Sequence, residues 1–437
     1  MKYFIQTFGC QMNKSDSERI AFVLEQIGGQ KAQDAEQADL VVINVCSVRQ
    51  SAVHRVYSLI KKLKEQKKKI VLTGCLLPSD RKKLQDKVNL IFNIKEIFQL
   101  PKKLKKIGIA IGQSKISVSS LRKNYLEIKP LYSSFFSAYV PIMTGCNNFC
   151  AYCVVPYVRG REVSRSPLLV LKETKKLLAK GCKRIILLGQ NVNSYQGEIG
   201  EKTIDFSQLL KMIVSLPGKF WLSFITSHPK DLSDKLIKTV FSSDKICKYF
   251  HLPIQSGSDR ILKKMNRGYK VEQYKKIIEK IKKEASKKKI DVAISTDIIV
   301  GFPSETNSDF EKSASLMEKI KFDMAYIAQY SSRPLTFASS FKDNVDSSKK
   351  EKRQEKLFKI LFKTALNNNK KYLNKEARVL ITGFDKKGFI HGETSLFKNV
   401  RILNNDNLTR VGEFVKVKIV KATPWGLTGR ILYFSET

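Results

Sequence analysis

From the first residue to about residue 125 the chain repeats one pattern: a short apolar run, a cysteine at its end, then a polar stretch with helical spacing. FIQTFGC closes on Cys10, LVVINVC on Cys46 and KIVLTGC on Cys75. Ser15 and Ser17 with Glu18 are read as opening an amphipathic helix that runs to about Ile27, and a second helix is predicted from about Gln50 to Gln66. Continuous apolar strands alternating with helices predict βαβ units on a parallel sheet, where ligands bind beyond the carboxyl ends of the strands. Three cysteines far apart in sequence are thereby candidates for one site.

A polar stretch from about Gly112 to Pro130 predicts a linker. After it, six strand candidates, residues 138–144, 183–189, 219–225, 249–254, 291–301 and 323–330, alternate with helical stretches. Six βα repeats are too few for a closed eight-fold barrel, and right-handed parallel crossovers predict a partial one. A lysine-rich helix from about Ser347 to Tyr372 leads to RVLITGF, KGFIHGET, VGEFVKVKIV and LTGRILYF. These short alternating strands with glycine turns predict a small β-barrel of a type that often binds oligonucleotides. The fold class is α/β: an N-terminal parallel-sheet domain (1–118), a central partial (βα)6 barrel (132–368) and a C-terminal β-barrel (369–437).

Charge adds a partner class. The 437 residues carry 80 Lys and Arg against 40 Asp and Glu, a formal net charge of +40. Such a surplus points to a polyanion, most simply nucleic acid, because each neutralised phosphate releases counterions. A lysine-rich solvated surface explains the same number equally well. No apolar run approaches the ~18 residues of a membrane span, and the chain starts directly on a strand-like segment, so a cytoplasmic location is expected. In that compartment clustered thiols more often bind metal or do chemistry than pair as disulfides.

The densest cluster is GCNNFCAYC, in which Cys146, Cys150 and Cys153 follow a 3-then-2 spacing. This does not match the paired Cys-x2-Cys halves of structural zinc sites, and no histidine lies nearby as a fourth ligand. Three thiolates leave one metal position open. In a 4Fe–4S cluster that open iron is a docking point for a small ligand. Zinc and simple burial of the thiols stand as the alternatives.

The loop resembles the cluster loop of radical S-adenosylmethionine enzymes, with Tyr152 just before the last cysteine. The longer run GCNNFCAYCVVPYVRGREVSR is similar to the methylthiotransferases, closest to the MiaB type that acts on tRNA. The resemblance extends through TFGCQMNKSDSERI, NVCSVRQSA, LLGQNVNSY, TSHPKDLSD, HLPIQSGSDRILKKMNRGY and TDIIVGFPSET, and the last region resembles the TRAM domain. It implies a three-domain tRNA-modifying enzyme that converts N(6)-isopentenyladenosine at position 37 to its 2-methylthio form. Two 4Fe–4S clusters and S-adenosylmethionine are the implied cofactors. Cys146, Cys150 and Cys153 would hold the cluster that binds S-adenosylmethionine and cleaves it to a 5′-deoxyadenosyl radical. Cys10, Cys46 and Cys75 would hold an auxiliary cluster that supplies the sulfur. The implied partners are a tRNA anticodon stem-loop, an electron donor such as flavodoxin or ferredoxin, and a sulfur source; a monomer away from any membrane is expected.

Beyond the six cysteines, Tyr152, Gln190, Asn191, Thr296, Asp297 and Gly301 are candidates by position for contact with S-adenosylmethionine or substrate. His228 and His251 lie near the ends of barrel strands, and hydrogen-bonded structural roles are expected for both. Arg159, Arg161 and Arg165 follow the cluster loop, suited to phosphate or to carboxylate pairs. Cys182 and Cys247 are read as small buried hydrophobes. The sequence departs from the family pattern at Leu76-Leu77-Pro78, and at Leu335 and Phe337, where glycine and proline are usual. Rival readings are a methylthiotransferase for threonylcarbamoyladenosine or a ribosomal-protein aspartate, and a non-catalytic RNA-binding protein holding zinc or a structural cluster.

Overall fold

The computed structural model describes the chain except residues 47–49, 111–123, 404–409 and 435–437, and the side chains of 50–54 and 433–434. Five parallel strands, β1 (Lys2–Thr7), β2 (Gln30–Lys31), β3 (Leu40–Cys46), β4 (Lys69–Cys75) and β5 (Leu90–Ile91), form the first sheet in the order β2-β1-β3-β4-β5. Because successive side chains of a strand point to opposite faces, Leu40 and Val42 of β3 join one core and Val41, Ile43 and Val45 another. Helices α1 (Gln11–Gln26) and α4 (Leu100–Lys106) cover the first face. Helices α2 (Gln50–Glu65) and α3 (Pro78–Leu84) cover the second.

In this first part of the chain two predicted features differ from what is found. Helix α1 begins at Gln11 with Cys10 as its N-cap residue, four positions before Ser15. Ser15 and Ser17 are therefore inside the helix, where the Ser15 hydroxyl accepts from Arg19 and that of Ser17 accepts from Asn44. Most of the predicted linker lies outside the described residues, but its end is packed rather than free. Tyr125, Leu126 and Ile128 are buried in the core that α1 shares with the first sheet.

All six central strands are present, parallel and in sequence order: β6 (Ser137–Pro141), β9 (Arg184–Leu188), β12 (Trp221–Phe224), β13 (Tyr249–His251), β14 (Ala293–Val300) and β15 (Met324–Gln329). A single bridge between Leu222 and Ile246 joins the two halves into a partial barrel. Two short hairpins interrupt it, β7 (Met143–Thr144) with β8 (Val163–Ser164), and β10 (Gln196–Ile199) with β11 (Lys202–Asp205). The helix predicted near Ser347 spans Ser347–Lys370 and runs into a closed barrel of β16 (Glu376–Phe384), β17 (Ile390–Thr394), β18 (Asn399–Ile402), β19 (Phe414–Thr423) and β20 (Gly426–Phe434). Strand β18 is absent from the four strands predicted there. With only Val400 and Ile402 pointing inward it is too short for alternation to register.

The closed barrel is locked to the central one by two ion pairs, Arg184 with Glu393 and Lys398 Nζ with Asp323 Oδ1 at 2.5 Å. Trp221 meets Phe414 edge-on at 4.8 Å in the same seam. Cys247 is buried in that apolar seam and Cys182 in the central core, as small hydrophobes. Among the described residues no helix is long and apolar enough to cross a membrane.

Candidate functional site

Parallel pairing of β3 with β4 sets Cys46 directly opposite Cys75, and Cys10 follows β1 on the other side of β3. Close approach at these strand ends depends on glycine. Gly9 has φ +118°, and a Cβ there would lie 2.5 Å from Cys46 Cβ; at Gly74, φ +102°, it would lie 2.4 Å from Val45 O. Asn13, one turn into α1, ties the ends together by donating to Val45 O at 2.9 Å and Phe8 O at 3.0 Å, while its Oδ1 accepts from Cys10 Sγ at 3.6 Å. Burial pushes the Cys75 thiol up to about 11 against the pull of Arg159, and neighbouring Cys46 and Cys10 add to the rise. The topology thus brings the three distant cysteines into electrostatic reach of each other.

The second triplet is local. Cys146, Cys150 and Cys153 lie on the loop between β7 and the short helix α5 (Val155–Arg159). Gly145 has φ +84° and is pressed so closely under Arg161 O that a Cβ would lie 2.0 Å away. Its N–H donates to Gln190 Oε1 at 2.6 Å, so Gln190 holds the loop. Arg267, buried after the fourth barrel strand, donates through Nη1 to Cys150 Sγ and Tyr152 Oη, both at 3.3 Å, and through Nη2 to Pro253 O at 2.8 Å. Burial opposes the Arg267 charge, while Tyr152, Tyr269 and Cys150 raise its pKa. Burial pushes Cys146 up to about 11 and Cys153 up to about 12, with Cys150 adding to each.

The remaining candidates divide. Asp297 lines a cavity of about 790 Å³ and faces His251, whose Nε2 is 3.5 Å from Asp297 Oδ2 and whose Nδ1 is 2.9 Å from Ser295 Oγ. Thr296 spends its buried hydroxyl on the backbone, donating to Leu252 O and accepting from Ile254 N. Asn191 is likewise committed, to Asp231 and to the His228 N–H. Gly301, φ +70°, forms a turn whose N–H donates to Glu305; the Lys350 side chain fills the space where its Cβ would be. For Asn191, Thr296 and Gly301 the geometry describes scaffold contacts. Of the three loop arginines, Arg159 and Arg165 pair with Asp16 and Glu173, and Arg161 stacks on Phe149 at 4.5 Å.

The cavity joins all three parts of the molecule. Gly9, Cys10 and Cys46 stand on one wall, His251, Asp297 and Tyr326 on the inner face of the partial barrel, and Trp425 and Lys398 on the closed barrel. Residues around the two triplets that sequence reasoning missed are Asn13, Asp16, Arg267 and Arg333, the last within electrostatic reach of Asp80 and Cys46. Asn13 and Asp16 are one helical turn apart after Cys10, a signal the sequence does carry. No local pattern marks Arg267 or Arg333.

Fit to iron–sulfur clusters can be tested on the donors. All eight cysteines are free, and among the described residues no group of three His, Cys, Asp or Glu closes around a single metal ion. A four-iron cluster is held at its corners, so its thiolates stand apart. Each triplet offers three soft donors with an arginine N–H against one sulfur. Among the described residues Arg159 Nη1 is buried without an acceptor, a cost of roughly 1–3 kcal/mol that an anionic sulfur-rich ligand would relieve. The residues present fit a thiolate-held cluster at both places.

Comparison with known proteins agrees with this layout. The Radical SAM superfamily matches residues 140–317, the TRAM domain residues 370–432, and an uncharacterized protein family, UPF0004, residues 2–93. Among solved structures, the radical S-adenosylmethionine methyltransferase TsrM from Kitasatospora setae, bound to cobalamin and a 4Fe–4S cluster, shares the fold. Its TM-score is 0.54 at 11% identity over 77% of this chain and 74% of that one. The tRNA-2-methylthio-N(6)-dimethylallyladenosine synthase of Clostridium botulinum (strain Langeland) is 40% identical over 441 residues, covering 98% of this chain and 96% of the relative. A protein of the same name from Thermoanaerobacter pseudethanolicus is 38% identical, covering 98% and 92%. At this identity over nearly full length, the chain belongs to the radical S-adenosylmethionine methylthiotransferase family of tRNA-2-methylthio-N(6)-dimethylallyladenosine synthases.

Proposed function

We propose that the protein methylthiolates carbon 2 of N(6)-isopentenyladenosine at position 37 of tRNA, using one cluster at Cys146, Cys150 and Cys153 and a second at Cys10, Cys46 and Cys75. The observation that carries this reading is the shared cavity, which has auxiliary-site cysteines on one wall, the barrel interior on the other and the closed barrel at its edge. When bound, the two clusters supply the electron that cleaves S-adenosylmethionine and the sulfur that is transferred.

The chain's own residues do the placing. Gln190 and the Gly145 turn fix the start of the radical loop, and Arg267 holds Cys150 and Tyr152 from the far side. Asn13 orients Cys10 and joins the strand ends that carry it and Cys46. An anticodon-loop adenine is already unpaired, so splaying it into a cavity costs only unstacking, a few kcal/mol. His251 and Asp297 present a polar pair to whatever enters, and Tyr326, edge-on to His251 at 5.8 Å, offers a ring beside it. Trp425, half exposed at the edge of the cavity, offers a ring on which a base can stack.

Nucleoside analysis of tRNA from a deletion strain tests the substrate. The 2-methylthio-isopentenyl nucleoside should vanish while its unthiolated precursor accumulates. An unchanged level of it would reject the assignment in favour of the threonylcarbamoyladenosine or protein-aspartate readings.

A further inference from the structure

We propose that Arg159 is a positioning residue that couples the two cysteine triplets: it holds the N-terminal triplet against the radical loop and sets the reduction potential of a cluster bound there. The inference rests on the reading that Cys10, Cys46 and Cys75 carry a second cluster.

Arg159 ends α5, the helix that starts two residues after Cys153, yet its side chain leaves the central barrel for the first sheet. It is only 4% exposed there. Nε donates to Cys75 Sγ at 3.1 Å, and Nη2 donates to Asp16 Oδ2 at 2.8 Å and to Asn13 Oδ1 at 3.2 Å. That same Asn13 oxygen accepts from Cys10 Sγ, and the Asn13 amide donates to Val45 O, the residue before Cys46. One guanidinium therefore touches Cys75 directly and reaches the other two cysteines through a single side chain. The next residue, Gly160, accepts through its carbonyl from the Cys146 N–H at 3.0 Å. Two consecutive residues are thus bonded to the two triplets, one to each.

The chemistry follows from charge. A cluster with three thiolate ligands is anionic and becomes more so on reduction, so a fixed cation donating to a ligand sulfur favours the reduced form and raises the potential. Asp16 compensates the arginine while it is buried, which keeps the cation affordable inside the protein. Lysine cannot reproduce the arrangement, because three acceptors in different directions need the planar fork of a guanidinium.

The test uses full-length reconstituted protein. In a background lacking the radical triplet (Cys146→Ala, Cys150→Ala, Cys153→Ala), the remaining cluster is titrated by EPR with Arg159, with Arg159→Lys, and with the paired change Asp16→Asn and Arg159→Met. The paired change leaves no stranded carboxylate. The midpoint should move to lower potential in the paired variant and be partly restored in Arg159→Lys, at equal iron content. With all cysteines present, methylthiolated product per S-adenosylmethionine cleaved should fall on the order of tenfold in the paired variant, as for other groups that orient metal ligands. An unmoved potential at full iron content, or cleavage and methylthiolation falling together in constant ratio, would overturn the inference. A background protein that takes up no iron at all would overturn the two-cluster reading itself, and this inference with it.

Discussion

The two cysteine triplets are assembled by opposite routes. Cys146, Cys150 and Cys153 sit on one loop, whose shape is set by Gly145 and by the bonds that its N–H groups donate to Gln190 Oε1 and Gly160 O. Cys46 and Cys75 end β3 and β4, Cys10 follows β1 as the N-cap of α1, and the three meet because β1, β3 and β4 lie side by side in parallel. Yet each triplet receives an arginine N–H on one sulfur from a distant segment, Arg267 on Cys150 and Arg159 on Cys75. A cysteine loop can thus be local in sequence while the groups that bond to its sulfurs are not.

The sharpest way to separate the two sites is to remove one ligand from each. Cys150→Ala should abolish cleavage of S-adenosylmethionine, whereas Cys46→Ala should keep cleavage and abolish sulfur insertion. Intact protein should carry about 8 irons and a chain stripped of either triplet about 4, measured after anaerobic reconstitution. Methylthiolated product from Cys46→Ala would break the division of labour.

A second comparison uses the glycines. Gly145→Ala forces a Cβ against Arg161 O at positive φ, and Gly9→Ala forces one against Cys46. Each should cost about 2–4 kcal/mol locally, from backbone strain plus overpacking. The expected difference is in what is lost: S-adenosylmethionine cleavage for Gly145→Ala, and iron at the N-terminal triplet for Gly9→Ala. Equal loss at both sites in either variant would show that the triplets are one cooperative unit.

The radical side also carries a proton-sensitive neighbour. Burial, with Arg267 and Lys230 nearby, pushes His228 down to about 2. Its ring lies 5.6 Å from that of Tyr269, which in turn accepts a bond from Arg267. The unfolded chain binds a proton here below about pH 6.5 and the folded chain does not, so stability is complete above that pH and falls below it. Between pH 7 and pH 5 the loss is about 2 kcal/mol. Denaturant melts of the apoprotein should show that loss shrinking in His228→Gln.

The smallest effect concerns the loop that touches both sites. Ala338 N–H donates to Ala151 O beside the radical cysteines, and Arg333 is within reach of Cys46. Between them Leu335 has φ +71° and is half exposed, so it bears backbone strain with little burial to offset it. Leu335→Gly should stabilise the protein by up to about 1 kcal/mol, the strain relieved less the greater freedom of glycine in the unfolded chain. Thermal unfolding would show it, and a lower melting temperature would mean the leucine side chain has a packing role.

Much of this was legible beforehand. Apolar runs located β1, β3 and β4 and all six central strands; the signature is plainest in β3, which is buried on both faces, and weaker in β1 and β15, which are not. The start of α1 was misplaced because Cys10 occupies the N-cap without a capping side chain, while Ser15 and Ser17 resemble caps but serve buried contacts. Strand β18 was missed for its shortness. Thr296, Asn191 and Gly301 stand at the strand ends where ligand contacts were expected, but alternation along a strand does not say whether a polar group meets a ligand or its own backbone.

By itself the sequence determined the parallel architecture, the 3-then-2 cysteine loop and the resemblance to the methylthiotransferases, since these depend on periodicity and spacing along the chain. Only the tertiary structure decided that Cys46 stands opposite Cys75, that one cavity joins the N-terminal sheet, the partial barrel and the closed barrel, and that Arg159 and Arg267 each reach a cysteine of a remote segment. Register between strands and the path of a long side chain into a core are fixed by close packing and by the need to pair buried charge. Neither leaves a mark in local sequence.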